Sequence, residues 1–316
     1  MKWLVFDENN LRTIPPNDRL SQCENILKNE SNQSKRWDAV WLVGEAAREA
    51  GSGPIFEKAS DLLAWVLEND VDGVVKHEVC FQISESNMRE KIPHLAKAGL
   101  YNESALARHE AIESLAAMEG FEVEDEIVKA LQDQVDYVRD TASFGIKYLD
   151  RLKHLNNEYY TDEYNQLSLF PEKRLRKYHE ILKNESDESI RWDMVWLAGE
   201  IAENVGTKHP IFAKVEELCD WVLKNDQNSF VKHEACFQMA ARNMRRKIPA
   251  LEECILNNET DLVRHEAIES LGLLSSFDSK KLISKFLTSS NIDIKQTAEF
   301  VLKRFEIMQS KNQNTY

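Results

Sequence analysis

Turn-forming residues are scarce in this chain, whose 316 residues include ten glycines and seven prolines. Those few fall at the joints between longer stretches, and β-branched alternation is hard to find, which argues against a strand-and-turn architecture. Cysteine is rare too. The five present (Cys23, Cys80, Cys219, Cys236 and Cys254) are odd in number, scattered and without a C-x-x-C pair. A disulfide framework is therefore not expected, and free thiols in a reducing cytoplasm are. No run approaches the ~18 apolar residues of a membrane span. The opening residues, MKWLVFDENN, lack the basic and apolar regions of a secretory signal. These absences predict a cytoplasmic protein with no membrane partner. Positive charge is also short: 40 basic residues against 54 acidic ones leave a formal charge of −14. That balance disfavours binding to a phosphate backbone and suits a basic protein or another cationic partner.

What is there is repetition. ILKNES at Ile26 to Ser31 recurs at Ile181 to Ser186, and RWDAVWLVGE from Arg36 recurs as RWDMVWLAGE from Arg191. The offset is 155 residues there and 156 from Pro54 and Pro210 onward, so one residue has been gained in the intervening loop. Each half also repeats within itself. Arg36-Trp37-Asp38-Ala39 matches Lys76-His77-Glu78-Val79, and Arg108-His109-Glu110-Ala111 matches Arg139-Asp140-Thr141-Ala142. In the second half Arg264-His265-Glu266-Ala267 matches Lys295-Gln296-Thr297-Ala298. A helical period of this length means hairpins that bury their apolar faces only by stacking on neighbours. The expected fold is an all-α solenoid of eight helical hairpins in two duplicated halves of four. The halves are expected at residues 1–153 and 172–316, with a polar and aromatic linker at 154–171.

One dipeptide recurs with the repeats. His77-Glu78 and His109-Glu110 lie 32 residues apart, as do His233-Glu234 and His265-Glu266, and the two pairs are 156 residues apart. These slots hold half of the eight histidines. Packing gives no reason to set an imidazole beside a carboxylate four times. Each pair is expected in the first turn of the second helix of its hairpin. Adjacent helical residues point about 100° apart, so two neighbouring helices are needed to assemble a site. Two halves facing each other would supply four His and four Glu. Imidazole and carboxylate without thiolate favour iron or manganese over structural zinc, and eight candidate ligands suit two ions.

The plainer alternative is that His-Glu caps and packs the repeat helices. A first-turn Glu gains ~0.3–1 kcal/mol from the helix dipole, which accounts for the Glu but not the His. His179-Glu180 is the same dipeptide, but its counterpart is Glu24-Asn25 and it sits in the other helix of its unit, so it is assigned to the surface. Glu113 and Glu269 follow Glu110 and Glu266 by three residues, on nearly the same face. They are candidate catalytic groups behind the ligands, or salt-bridge partners. Cys80 and Cys236 are expected as core thiols, and Trp37, Trp41, Trp192 and Trp196 as repeat core.

Four His-Glu pairs, two in each half of an eight-unit helical array, resemble the deoxyhypusine hydroxylases, which are built of HEAT repeats. The likeness spans residues 20–310. It implies a dinuclear iron monooxygenase with two Fe2+ ions and O2 as co-substrate. The ligands would be His77, Glu78, His109, Glu110, His233, Glu234, His265 and Glu266. The family's substrate, a modified lysine of a translation initiation factor, implies a protein or a cationic amine as partner, with a lysine-derived or other cationic amine as the group acted on. The chain departs from the family where the His-Glu helices usually run into Leu-Gly. Ser270-Leu271-Gly272 keeps that pattern, while Phe81-Gln82-Ile83 and Phe237-Gln238-Met239 do not. A second resemblance lies in the linker. Gln166, Leu167, Ser168, Leu169 and Phe170 look like the short peptide with which bacterial proteins bind the DNA sliding clamp, or else tether the linker to the solenoid. The alternative to the enzyme is a metal-free HEAT scaffold that holds a protein in its groove, tied to the clamp through that linker.

Overall fold

The computed structural model describes residues 11–154, 169–257 and 259–313, which contain helices and short 3-10 turns but no strand. The helices pair into eight hairpins, the solenoid expected from the repeats. The first four are α1 (Pro16–Asn29) with α2 (Gln33–Ala50), α3 (Pro54–Asn69) with α4 (Gly73–Glu85), α5 (Ile92–Tyr101) with α6 (Ala105–Ala117), and α7 (Glu124–Ala130) with α8 (Asp136–His154). The second four are α9 (Pro171–Asn184) with α10 (Glu188–Val205), α11 (Pro210–Asn225) with α12 (Ser229–Ala241), α13 (Ile248–Leu256) with α14 (Asp261–Leu273), and α15 (Lys280–Ile283) with α16 (Ile292–Gln313).

The scarce prolines and the small polar residues explain where these helices start. Six first helices carry Pro within their first two positions (Pro16, Pro54, Pro93, Pro171, Pro210 and Pro249), where no backbone N–H is needed. Six second helices start behind a side chain that accepts from the first free N–H groups: Asn32, Asp72, Ser104, Asp187, Asn228 and Thr260. Of the four tryptophans expected as repeat core, Trp37, Trp41 and Trp192 are buried and Trp196 is half-buried. Trp37 stacks on Trp41 at 5.7 Å and Trp192 on Trp196 at 5.6 Å.

The arginine ahead of Trp-Asp or His-Glu ties one hairpin to the next. Arg36 reaches both oxygens of Asp70 at 2.6 and 2.9 Å and caps the carbonyls of Glu30 and Ser31. Arg191 does the same with Asp226 at 2.8 and 3.1 Å, and Arg108 with Asp133 at 2.6 and 2.9 Å. A planar guanidinium fork matches a carboxylate edge in one geometry, so these pairs fix how far one hairpin slides along its neighbour.

By compactness the chain divides into two units, residues 1–146 with 286–316 and residues 147–285. This division differs from that of the duplication, because α16 packs on α2 and α4. Asp38 of α2 pairs with Arg304 of α16 at 2.9 Å, both side chains fully buried, with the guanidinium over the Trp37 ring. The second unit repeats the device: Asp193 of α10 pairs with Arg151 of α8 at 2.7 Å. Each duplicated half thus lends its last helix to the first hairpin of the other. Removing one member of a buried pair strands the remaining charge, at a cost of about 3–5 kcal/mol. Asp38→Ala is expected to lower the unfolding free energy by about that amount in denaturant titration, and a loss under about 1 kcal/mol would show that the pair is not a staple of the first unit.

Candidate metal centre

The caps place the His-Glu pairs. Asp72 accepts from Val74 and Val75, Ser104 from Ala107, Asn228 from Phe230 and Val231, and Thr260 from Val263. Each histidine is consequently the fifth residue of its helix. This corrects the expected position, which was the first turn: the pairs lie in the second turn, because the capping residue precedes the histidine by five. The helix dipole acts mainly on the terminal turn, so it does not account for the glutamates either.

In the first unit α4 packs on α6, and in the second α12 packs on α14. Equivalent positions therefore meet. The His77 and His109 rings are 5.4 Å apart, and so are those of His233 and His265. All four imidazoles and all four glutamates are buried. Glu110 Oε2 stands 3.2 Å from His77 Nε2 and 3.8 Å from His109 Nε2, and Glu266 Oε2 is 3.4 Å from His233 Nε2. His109, Glu110 and Glu113 each bring a ligand atom within 4.8 Å of the others, as do His265, Glu266 and Glu269. Glu113 and Glu269 thus join the groups they were expected to stand behind, with Glu113 Oε2 4.0 Å from His109 Nδ1. Glu78 and Glu234 are buried one residue from their histidines but enter neither of these two groups. His179 is half-buried in α9 with its ring against Trp221, outside these clusters.

Every glutamate of the four pairs has a polar partner one helical turn on. Gln82 Nε2 donates to Glu78 Oε1 at 2.8 Å and Gln238 Nε2 to Glu234 Oε1 at 2.7 Å. Ser114 and Ser270 hydroxyls reach Glu110 and Glu266 at 3.5 and 3.3 Å. The i, i+4 spacing was visible in HEVCFQ and HEAIES, but its chemical use was not read from it. Thr141 and Tyr137 were also missed. The Thr141 hydroxyl donates to the Tyr137 carbonyl at 2.8 Å and lies 3.4 Å from His109 Nδ1. With its proton so committed, Thr141 accepts from Nδ1–H, which leaves Nε2, the nitrogen nearer Glu110, as the lone-pair donor. The Tyr137 ring meets His109 edge-on at 5.9 Å, and its hydroxyl donates to Asp293 at 2.6 Å.

The electrostatics favour a cation. Burial pushes the Glu234 carboxyl up to about 8, against the lowering pull of Gln238 and with Glu266 adding like charge. Crowded buried carboxylates ionise fully only beside positive charge. Imidazole lone pairs and carboxylates without thiolate suit a divalent first-row ion, so the residues fit the metal that the sequence implied. The thiols stay out of the set. Burial drives Cys80 and Cys236 well above their ordinary range, and Cys80 Sγ faces the Ala107 carbonyl at 3.8 Å. Of the linker peptide, Gln166, Leu167 and Ser168 lie outside the described residues, while Leu169 is half-buried and Phe170 is 78% exposed. Among the described residues no helix is long and apolar enough to cross a membrane.

Residues 215–303 match a family model of HEAT repeats. A deoxyhypusine hydroxylase of Candida albicans is 23% identical over 95% of this chain and 95% of its own length. One of Neosartorya fischeri is 27% identical over 68% of each chain, and one of Danio rerio 23% identical over 78% of this chain and 82% of that protein. The structure of human deoxyhypusine hydroxylase in complex with glycerol superposes with a TM-score of 0.66 at 17% identity, covering 94% of this chain and 99% of that one.

The raised carboxyl has a measurable consequence. The folded metal-free protein holds a proton on Glu234 that the unfolded chain releases above about 4.5. The contribution of this proton to stability is complete below that pH and is lost as pH rises through about 8. The Tm of the metal-free protein is expected to fall across this window, and Glu234→Gln, which mimics the protonated acid, to flatten the fall. An unchanged slope in the variant would place the titration elsewhere.

Proposed function

We propose that this chain, which belongs to the deoxyhypusine hydroxylase family, is an O2-dependent hydroxylase holding two iron ions. The ligands are His77, Glu78, His109, Glu110, His233, Glu234, His265 and Glu266, with Glu113 and Glu269 beside them. The observation that carries the reading is the duplicated group of buried imidazoles and carboxylates, one in each unit. Bound iron would supply redox chemistry toward dioxygen, which His and carboxylate ligands with open positions permit.

The chain's own residues do the rest. Thr141 holds His109 in the tautomer that turns its Nε2 lone pair toward Glu110. Gln82 and Gln238 keep the carboxylates of Glu78 and Glu234 from turning. Burial of all eight excludes bulk water and strengthens each electrostatic contact. The substrate is a protein carrying a lysine-derived or other cationic amine. A chain of charge −14 attracts such a group, and the carboxylates of Glu113 and Glu269 can accept its N–H donors.

Elemental analysis after anaerobic iron loading tests the reading directly. About two ions per chain are expected, as eight His and carboxylate ligands suit two metals rather than one. Fewer than one ion per chain would leave a metal-free scaffold as the better account. His109→Ala and His265→Ala should each abolish oxygen-dependent turnover of an amine-bearing protein while leaving helical content nearly intact. Full activity in either variant, or turnover without oxygen, would remove the hydroxylase assignment.

A further inference from the structure

The two glutamines behind the His-Glu pairs sit in notches cut for them. Gln82 is fully buried between α4 and α2, and a Cβ added at Gly44 of α2 would overlap its amide oxygen. Gly199 of α10 stands in the same relation to Gln238, where a Cβ would overlap both the oxygen and Cδ. Neither glycine has a positive φ or lies at a turn, since both fall inside long helices. Glycine weakens a helix interior by ~1 kcal/mol relative to alanine, so a reason other than backbone conformation is needed. Space for the amide is that reason. In the first unit the amide is also oriented. Arg48 Nη1 donates to Gln82 Oε1 at 2.7 Å, and an arginine can only donate, so the NH2 end must face Glu78. The second unit lacks this donor. Its counterpart of Arg48 is Glu203, which pairs with Arg242 at 3.0 Å, and Gln238 Oε1 is buried without a hydrogen-bond partner.

We propose that Gln82 and Gln238 are positioning residues for the metal ligands Glu78 and Glu234, that Gly44 and Gly199 make room for them, and that Arg48 sets the direction of the first latch. This rests on the assignment of Glu78 and Glu234 as ligands. A carboxylate whose Oε1 is held by an amide can rotate little about its last torsion, so its other oxygen is aimed before the metal arrives. Loss of such a partner costs about 10–100-fold in metal affinity in characterised metal sites.

The test compares chain variants with and without iron. A ligand that binds only the folded state raises Tm by an increment that depends on its affinity. Gln82→Leu and Gly44→Ala should each shrink that increment and weaken Fe2+ binding about 10–100-fold in anaerobic chelator competition. A residue that merely fills the core would lower Tm equally with and without iron and leave the increment unchanged. Arg48→Met, at a half-buried position, should shrink it too. Gly44→Ala combined with Gln82→Ala should bind iron no more weakly than Gln82→Ala alone, because the clash exists only while the amide is there. An unchanged iron increment in Gln82→Leu and Arg48→Met would overturn the latch while leaving the metal centre standing. Absence of any increment or bound iron in the unmodified chain would overturn both, so the two failures are distinguishable.

Discussion

The bidentate grip of Arg36 on Asp70, of Arg108 on Asp133 and of Arg191 on Asp226 sets how the first hairpin sits on the second, the third on the fourth and the fifth on the sixth. A fork that must meet both carboxylate oxygens tolerates little sliding. A slip of one residue would turn every side chain on the helix by about 100°. With the register held, the fifth residue of one second helix faces the fifth residue of its neighbour. In both units the two imidazoles meet at the same 5.4 Å, His77 on His109 and His233 on His265. The arginines ahead of Trp37-Asp38, His109-Glu110 and Trp192-Asp193 pin hairpins that flank the His-Glu interfaces, and in the second unit Lys232, ahead of His233, reaches Glu259 at 2.8 Å across that interface.

Buried charge is the second constraint. The four glutamates of the pairs are withdrawn from water together, with amides, hydroxyls and imidazoles beside them. Hydrogen bonds from neutral donors compensate a carboxylate only in part. The shortfall is visible at Glu234, which keeps its proton to about 8. Elsewhere the chain pairs buried carboxylates with its own arginines, as in Asp38 with Arg304 and Asp193 with Arg151. The contrast separates staples, where the cation belongs to the protein, from the site proposed to take its cation from outside.

Duplication has not left the copies equivalent. Arg48 orients the Gln82 amide, while Glu203 at the matching position pairs away from Gln238. Tyr137 and Asp293 are 156 residues apart, the offset of the duplication, and they bond to each other. A phenol and a carboxylate make a donor and an acceptor where two identical residues at matching positions would have competed. The first unit thereby gains a hydrogen-bonded tyrosine against the His109 ring that the second does not obtain from the same position.

The repeats by themselves determined the hairpins, their number and the eight His-Glu residues. These follow from local rules: helix periodicity, capping residues and a dipeptide too unlike core packing to be accidental. The turn in which the pairs lie was misplaced, because a capping side chain five residues before the histidine starts the helix earlier than the motif suggests. Gln82, Gln238 and Thr141 were in plain view but carried no signal, since a glutamine at i+4 is as often on the surface as behind a buried carboxylate. Gly44 and Gly199 were legible as repeated residues, and their use was not, because a notch has meaning only when the neighbouring helix fills it. Only the tertiary structure decided that the last helix of the chain packs on α2 and α4. The ion pair responsible joins residues 266 positions apart, and no local pattern encodes which of several buried aspartates an arginine that distant will reach.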